Sequence, residues 1–307
     1  MNVKKLISRL AIFIIGVPLT VFLIYLPFFN HLPLHALMVL VTLLASIELY
    51  NIFSVKVRMP SKFFTVFLSL LIPLVYGIYL ILTSVLNLPR FSWYHLIPTI
   101  TLIASIIAVF VREITHESSF EDSSSRIALT SFLIFYTGYL ITYIQQMSVF
   151  TLPSLSPQEG KDVSTGYLIT FILMVYICDS SAWLFGNLFG KNNKGILKAS
   201  PNKSVAGFLG GIFGSITIGI LCYFAMASIY KENIFPSSIV KIIVLGFLIS
   251  ISAIVGDLTE SIFKRASGVK DSSKIILGRG GVLDSIDSIL IAAPVFYLYS
   301  IIFYVNF

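Results

Sequence analysis

The chain has 307 residues, of which 57% are hydrophobic and only 11% are charged. A soluble globular domain carries about 25% charged residues, so the composition excludes that class and indicates a polytopic membrane protein. The net charge of +7 is attributed to basic residues gathered on one side of the membrane, and no nucleic-acid partner is expected. The two cysteines lie in apolar segments and the four histidines in the first half of the chain, which argues against a disulfide framework and a histidine-ligated metal.

Nine segments are long and apolar enough to span a bilayer, which takes about 20 residues per helix. They are Leu6–Phe29, Leu34–Phe53, Phe63–Leu86, Trp93–Val111, Ile127–Ile144, Tyr167–Phe189, Val205–Ile229, Ile239–Val255 and Leu283–Val305. The predicted fold class is an all-α polytopic membrane protein with about nine transmembrane helices and a charged site facing the cytoplasm in the C-terminal third. Residues 1–150 are predicted to form a scaffold of about five helices, and residues 151–307 a catalytic region of about four.

The orientation follows from the basic residues in the loops. A cytoplasmic N-terminus places 17 of the 21 Lys and Arg residues on the cytoplasmic side, as the positive-inside rule requires. The first apolar segment is too long for a cleaved signal peptide and is predicted to be a retained span. The expected location is therefore the inner cell membrane, with the N-terminus and the charged site in the cytoplasm.

Two acidic residues lie inside predicted spans. Glu48 is either a functional group or a helix-end carboxylate that bonds a neighbouring helix, and both interpretations stay open. Asp179 lies in the middle of its span, where a carboxylate must be neutral, paired or ion-bound, so a functional role is favoured. The polar, serine-rich stretch Glu113–Arg126 is predicted to be an ordinary solvated loop.

The loop KNNKGILKASPNKS follows the Asp179 span and carries four lysines. Cations and hydroxyls next to a helix start are typical of a phosphate site, although the same lysines could simply anchor the loop at the membrane. The next helix begins VAGFLGGIFGS. Its Gly207/Gly211 and Gly210/Gly214 pairs, each spaced by four, predict close packing against another helix.

The stretch from Asp257 to Asp287 holds 10 of the 35 charged side chains of the chain. Charge this dense beside a bilayer is costly unless it is paired, hydrated or ion-bound. Asp257 lies on one helix and Asp284 at the start of another, and such a carboxylate pair could hold Mg²⁺ together with substrate phosphates. The glycines around Arg279 could offer backbone amides to phosphate. These residues favour phosphoryl or nucleotidyl transfer from a nucleotide, although a salt-bridged loop remains an alternative.

The spacing of this stretch resembles the signature of the phosphatidate cytidylyltransferases, also called CDP-diacylglycerol synthases. The resemblance covers about Tyr167 to the C-terminus and includes the stretches CDSSAWLFGNLFG and SPNKS. The pattern is Ser261-x-x-Lys264-Arg265-x4-Lys270-Asp271-x-Ser273, followed by Gly280-Gly281-x-x-Asp284-x-x-Asp287.

The chain departs from the family pattern at four positions. Leu277 and Arg279 stand where the family usually has Pro-x-His, Ser285 stands where an arginine follows the aspartate, and Ala206 stands near a usual glutamate. Arg279 is predicted to bind the leaving pyrophosphate or the β- and γ-phosphates of CTP with its guanidinium and partly to offset Ser285. The alternative is that Arg279 only anchors the loop to lipid headgroups.

The resemblance implies that CTP and phosphatidate react to give CDP-diacylglycerol and pyrophosphate. Magnesium is the expected cofactor, and a second monovalent or divalent cation is left open. The expected partners are CTP, phosphatidate and the lipid bilayer, with a homodimer left open. The alternatives are a CTP-dependent lipid-alcohol kinase, a divergent paralogue of low activity and, less favoured, a proton-coupled transporter.

The resemblance and the residue chemistry together give three predicted groups of site residues. The catalytic group is Asp257, Asp284 and Lys264. The substrate-binding group is Ser200, Lys203, Ser204, Arg265, Lys270, Asp271, Arg279, Gly280, Gly281 and Asp179. The metal ligands are Asp257, Asp284 and Asp287.

Overall fold

The structure is a computed structural model. It describes residues 18–26, 28–116, 120–152, 161–195, 197–231, 233–235, 238–269, 272–273 and 280–303.

The described residues are mainly helical. The helices are α1 (described over residues 18–25), α2 (Phe28–Phe53), α3 (Lys62–Val85), α4 (Ile97–His116), α5 (Ser123–Leu133), α6 (Thr142–Met147), α7 (Ser164–Phe189), α8 (Val205–Tyr230), α9 (Ile239–Ala266) and α10 (Leu283–Phe303). A 3₁₀ turn (Tyr94–Leu96) precedes α4, and a π-helical turn (Ile134–Tyr139) joins α5 to α6. Two short antiparallel strands, β1 (Thr151–Leu152) and β2 (Lys161–Asp162), pair between α6 and α7.

Eight helical stretches within the described residues are long and apolar enough to cross a membrane. They match the second to ninth predicted spans, and the prediction of an all-α polytopic membrane protein is confirmed. The predicted first span lies largely outside the described residues, although its residues 18–25 are helical. The ninth predicted span ends two residues beyond α10, at positions that are also outside the described part of the chain.

The chain folds as two compact units. The first contains Met1–Gln146 and Phe263–Ile286, and the second contains Met147–Ile262 and Asp287–Phe307. Helices α9 and α10 therefore each contribute residues to both units.

The first unit has an aliphatic core between α3, α4 and the π-helical turn. Leu68, Ile72, Val109 and Ile134 are buried together, which removes their apolar surface from lipid and water alike. A second cluster is aromatic. The ring centroid of Phe263, at the end of α9, lies 5.4 Å from that of Phe53 and 5.2 Å from that of Phe132. This cluster fixes the C-terminal end of α9 against α2.

The second unit is built on the close packing of α7 and α8. A Cβ added at Gly210 would lie 2.4 Å from the Cβ of Phe185, and one added at Gly214 would lie 2.2 Å from the Ser181 hydroxyl. The predicted role of these glycines in close packing is confirmed, because α7 occupies the space that larger side chains would fill.

The prediction that Glu113–Arg126 is a plain solvated loop was wrong at both ends. Glu113 belongs to α4 and Arg126 to α5, and each is only 4% exposed. Arg126 donates from Nη2 and Nε to Glu113 Oε1 at 2.6 and 2.7 Å. The pair lies buried because opposite charges satisfy each other where water is absent.

Candidate active site

Lys264 and Asp284, two predicted catalytic residues, meet in the first unit. The Lys264 Nζ lies 2.5 Å from Asp284 Oδ1, and their side chains are 13% and 10% exposed. Lys264 comes from the last turn of α9 and Asp284 from the first turn of α10. A carboxylate is favoured in that first turn because unpaired backbone N–H groups point toward it.

The other oxygen of Asp284 accepts hydrogen bonds from the segment that precedes α10. Asp284 Oδ2 accepts from the Ser272 hydroxyl at 2.7 Å, from the Ser272 backbone N–H at 3.3 Å and from the Gly281 N–H at 2.7 Å. Both carboxylate oxygens are therefore bound, which holds the side chain in one orientation.

Gly280 and Gly281 lie so close to carboxylate oxygens that a larger residue would not fit at either position. Gly280 has a φ of +116°, and a Cβ there would lie 2.3 Å from Asp284 Oδ2. At Gly281 a Cβ would lie 2.0 Å from the Ser272 hydroxyl oxygen and 2.2 Å from Glu48 Oε2. The Gly281 amide was predicted to be available to phosphate, whereas the structure has it donating to Asp284.

Glu48 joins the same group of residues from α2. Its carboxylate accepts hydrogen bonds from the hydroxyls of Ser272 and Ser273 and from the backbone N–H groups of Val282 and Leu283. Of the two interpretations of Glu48, the contacts match the second, a carboxylate that bonds a neighbouring helix, because Leu283 is the first residue of α10. Ser272 was missed in the sequence, where its only signal was its place beside Asp271 in the family-like pattern.

The second unit brings Lys203 and Asp257 together as an ion pair, with side chains 23% and 38% exposed. Lys203 ends the loop before α8, and Asp257 lies on α9. The next residue, Ser204, caps α8 by accepting a hydrogen bond from the Gly207 N–H at 3.1 Å. A Cβ at Gly190 would lie 2.4 Å from the Ser204 hydroxyl oxygen, so the end of α7 fixes the position of this cap.

Asp179 and Asp287 lie in the second unit with Ser288. The Ser288 hydroxyl contacts Asp179 Oδ1 at 3.4 Å, and the Ser288 N–H donates to Asp287 Oδ1 at 2.6 Å. Asp287 is 4% exposed, and Asp179, Asp257 and Glu260 all act electrostatically on it. The predicted residues Asp179, Asp257 and Asp287 therefore form one acidic group.

The chemistry of these donors suits Mg²⁺, because carboxylate oxygens are its preferred protein ligands and a cation would relieve their mutual repulsion. Within the described ranges, no group of three or more His, Cys, Asp or Glu side chains is arranged to hold a metal ion. Magnesium in nucleotide enzymes usually takes one or two carboxylates and completes its shell with phosphate and water. Asp257 and Asp284 belong to different units, so their sharing of one ion stays a prediction.

The remaining predicted residues divide into two sets. Ser200 lies in the turn before Lys203, partly exposed, and Arg265 is exposed at the end of α9. Lys270, Asp271 and Arg279 lie outside the described residues, as does Leu277.

Comparison with known proteins shows which proteins this chain resembles in sequence. The phosphatidate cytidylyltransferase of Haemophilus influenzae is 40% identical over 134 residues, which cover 43% of this chain and 45% of that protein. The protein of the same name from Synechocystis is 31% identical over 185 residues (55% of this chain and 60% of that protein). The one from Aquifex aeolicus is 34% identical over 170 residues (55% of each). The chain thus spans about half the length of these relatives.

The sequence model of the Cytidylyltransferase family covers far more of the chain, from residue 7 to residue 303. That range includes both ion pairs, the acidic group and Glu48. The resemblance found in the sequence is confirmed, and the chain belongs to the cytidylyltransferase family.

Proposed function

We propose that this protein transfers the cytidylyl group of CTP to phosphatidate, giving CDP-diacylglycerol and pyrophosphate. The observation that carries the proposal is the family match over residues 7–303, within which Lys264 and Asp284 meet as an ion pair. The three relatives described above are named for this activity.

The proposed reaction makes one bond and breaks one. An oxygen of the phosphatidate phosphate attacks the α-phosphorus of CTP, and the bond from that phosphorus to the bridging oxygen of the β-phosphate breaks. Pyrophosphate leaves with the electron pair. Because the second pKa of a phosphate monoester is about 6, the attacking oxygen is largely ionised near pH 7, so a strong general base is not required.

The main obstacle is the approach of two polyanions, which the basic residues can offset. Lys203 and Lys264 each form one ion pair with an aspartate. A lysine ammonium has three N–H donors, so each can keep its aspartate and still donate to a phosphate oxygen. The aspartates thereby fix the direction of each cation before substrate arrives.

Asp257, Asp284 and Asp287 are the residues proposed to hold magnesium. When bound, the ion would neutralise charge on phosphate oxygens and on the leaving pyrophosphate. In the same proposal the site faces the cytoplasm, from which CTP enters, and phosphatidate arrives from the inner leaflet of the cell membrane.

The test is a pair of labelling reactions with purified protein, phosphatidate and Mg²⁺. CTP labelled at the α-phosphate should give a lipid-soluble labelled product, whereas CTP labelled at the γ-phosphate should leave the label in water as pyrophosphate. With a lipid alcohol added as acceptor, lipid-soluble label from the γ-position would instead identify a lipid-alcohol kinase. No transfer from either position would overturn the proposed function.

A further inference from the structure

Glu48 is a buried carboxylate that pairs with hydroxyl and amide groups. Only 1% of the surface of Glu48 is exposed, and the residue lies in the last two turns of α2. A buried carboxylate is costly unless every oxygen is hydrogen-bonded. The donors that satisfy this one come from the C-terminal charged stretch, more than 220 residues away in the chain.

Each oxygen of Glu48 accepts one hydroxyl and one backbone amide. Oε1 accepts from the Ser273 hydroxyl at 2.6 Å and from the Val282 N–H at 3.0 Å. Oε2 accepts from the Ser272 hydroxyl at 3.1 Å and from the Leu283 N–H at 2.8 Å. A carboxylate has about four lone-pair positions, and each oxygen of Glu48 accepts at least one backbone N–H. Both oxygens of Glu48 are therefore tied to the charged stretch.

The same contacts connect Glu48 to Asp284. The single proton of the Ser272 hydroxyl is shared between Glu48 Oε2 at 3.1 Å and Asp284 Oδ2 at 2.7 Å. Leu283, whose amide Glu48 binds, is the first residue of α10, and Asp284 is the second. The position of Glu48 thus determines where α10 begins and where its first carboxylate points.

We propose that Glu48 is a positioning residue for the transfer reaction. It holds Ser272, Ser273 and the start of α10 so that Asp284 and Lys264 keep their relative orientation. This inference rests on the proposed function, since it assigns Glu48 to the same reaction. The residue acts through Asp284 and does not touch substrate.

Glu48→Gln is the main test, because it keeps the size of the side chain and replaces one acceptor oxygen with an NH₂ donor. That NH₂ would face a backbone N–H, which can only donate. We expect kcat to fall about 10- to 100-fold, with the KM for CTP nearly unchanged, since Asp284 is displaced rather than removed. Glu48→Asp keeps the charge and should recover part of kcat.

Hydrogen exchange measured by mass spectrometry provides a readout that does not require activity. In Glu48→Gln the amide of Val282 or of Leu283, whichever faces the new NH₂, should exchange faster, because it loses its acceptor. Glu113→Gln is the matched control, since it removes another buried carboxylate of the first unit, one that pairs with Arg126. It should lower thermal stability without faster exchange at Val282 and Leu283 and without a lower kcat in the folded fraction.

Ser273→Ala tests the same contact from the other side and leaves the carboxylate in place if Glu48→Gln does not fold. It should lower kcat by a smaller factor. Where both variants fold, their combined effect should be less than the product of the two single effects, because both break one contact. An unchanged kcat in Glu48→Gln, or unchanged exchange at Val282 and Leu283, would overturn the inference. If the wild-type protein shows no cytidylyl transfer, the proposed function fails, and the exchange measurement still decides whether Glu48 holds the start of α10.

Discussion

Asp284 illustrates how single residues acquire their roles in this protein. Its two oxygens are bound by a lysine, a serine hydroxyl and two backbone amides. The four donors come from three residues, Lys264, Ser272 and Gly281, so the orientation of the carboxylate is fixed before a ligand arrives. Such fixed charge is what transfer between polyanions requires, because reorientation during the reaction would raise its barrier.

We expect Asp284→Asn to lower kcat by about 100-fold or more. The amide group cannot accept at both ends, so it must place its NH₂ against Lys264 or against the donors on the other side. The measurement is CTP turnover by detergent-purified protein across a magnesium titration, with Glu121→Gln as an exposed acid-to-amide control. Wild-type rates for Asp284→Asn would remove this residue from the site.

Lys203 provides a second test at this scale, because a matched lysine lies five residues earlier in its loop. Lys203 is paired with Asp257, whereas Lys198 is exposed. Lys203→Met should reduce kcat/KM for CTP by at least about tenfold, because a partly buried cation near the proposed phosphate position is lost. Lys198→Met should change it little. Equal effects of the two substitutions would indicate that the loop attracts CTP only through its overall charge.

At the scale of elements, the glycine face of α8 determines how the loop before it is held. Helix α7 packs so closely on α8 that Gly190, just after the end of α7, contacts the N-cap Ser204. The loop between these helices carries Lys203, so close packing of the helices places the ion pair with Asp257. The glycines therefore serve the site although they carry no functional group.

Gly214→Ala should destabilise the protein by about 1–3 kcal/mol, the usual cost of an added group in a filled interior. The added Cβ would lie 2.2 Å from the Ser181 hydroxyl oxygen and 3.2 Å from the Ile177 carbonyl oxygen. Thermal unfolding in detergent is the measurement. Leu209→Ala, at a position of α8 that is 61% exposed, should shift the midpoint much less. A Gly214→Ala midpoint equal to that of the wild type would show that α7 and α8 separate easily.

For the whole molecule, the sequence predicts which side of the membrane each loop faces. The described helices alternate in direction if each crosses the bilayer, and the distribution of Lys and Arg predicts a cytoplasmic N-terminus. This orientation would place the α7–α8 loop in the cytoplasm and the α3–α4 loop outside.

Single cysteines at Asn192 and Ser92, both exposed, test this orientation in a protein lacking Cys178 and Cys222. An impermeant thiol reagent added to intact cells should label Ser92→Cys and not Asn192→Cys. Inside-out vesicles should give the reverse pattern. Labelling of both positions from one side would contradict the alternation of spans.

The sequence by itself determined the membrane class, the positions of eight of the spans, the close packing of α8 and the family. These properties depend on apolar length, small-residue spacing and a linear pattern of charged residues, all of which are local. Lys264 and Asp284 could also be predicted as site residues, because the family-like pattern contains both.

Only the tertiary structure decided which partners these residues have. The long-range contacts of Glu48 with Ser272, Ser273, Val282 and Leu283 cannot be read from spacing, because no periodicity links positions so far apart in the chain. The assignment of residues 263–286 to the same unit as Met1–Gln146 is likewise absent from sequence order. The Glu113–Arg126 pair was missed for the same reason: local polarity indicates a solvated loop, whereas burial and pairing depend on how α4 and α5 pack. Side-chain pairing is a property of three-dimensional packing, and hydrophobic length alone does not specify it.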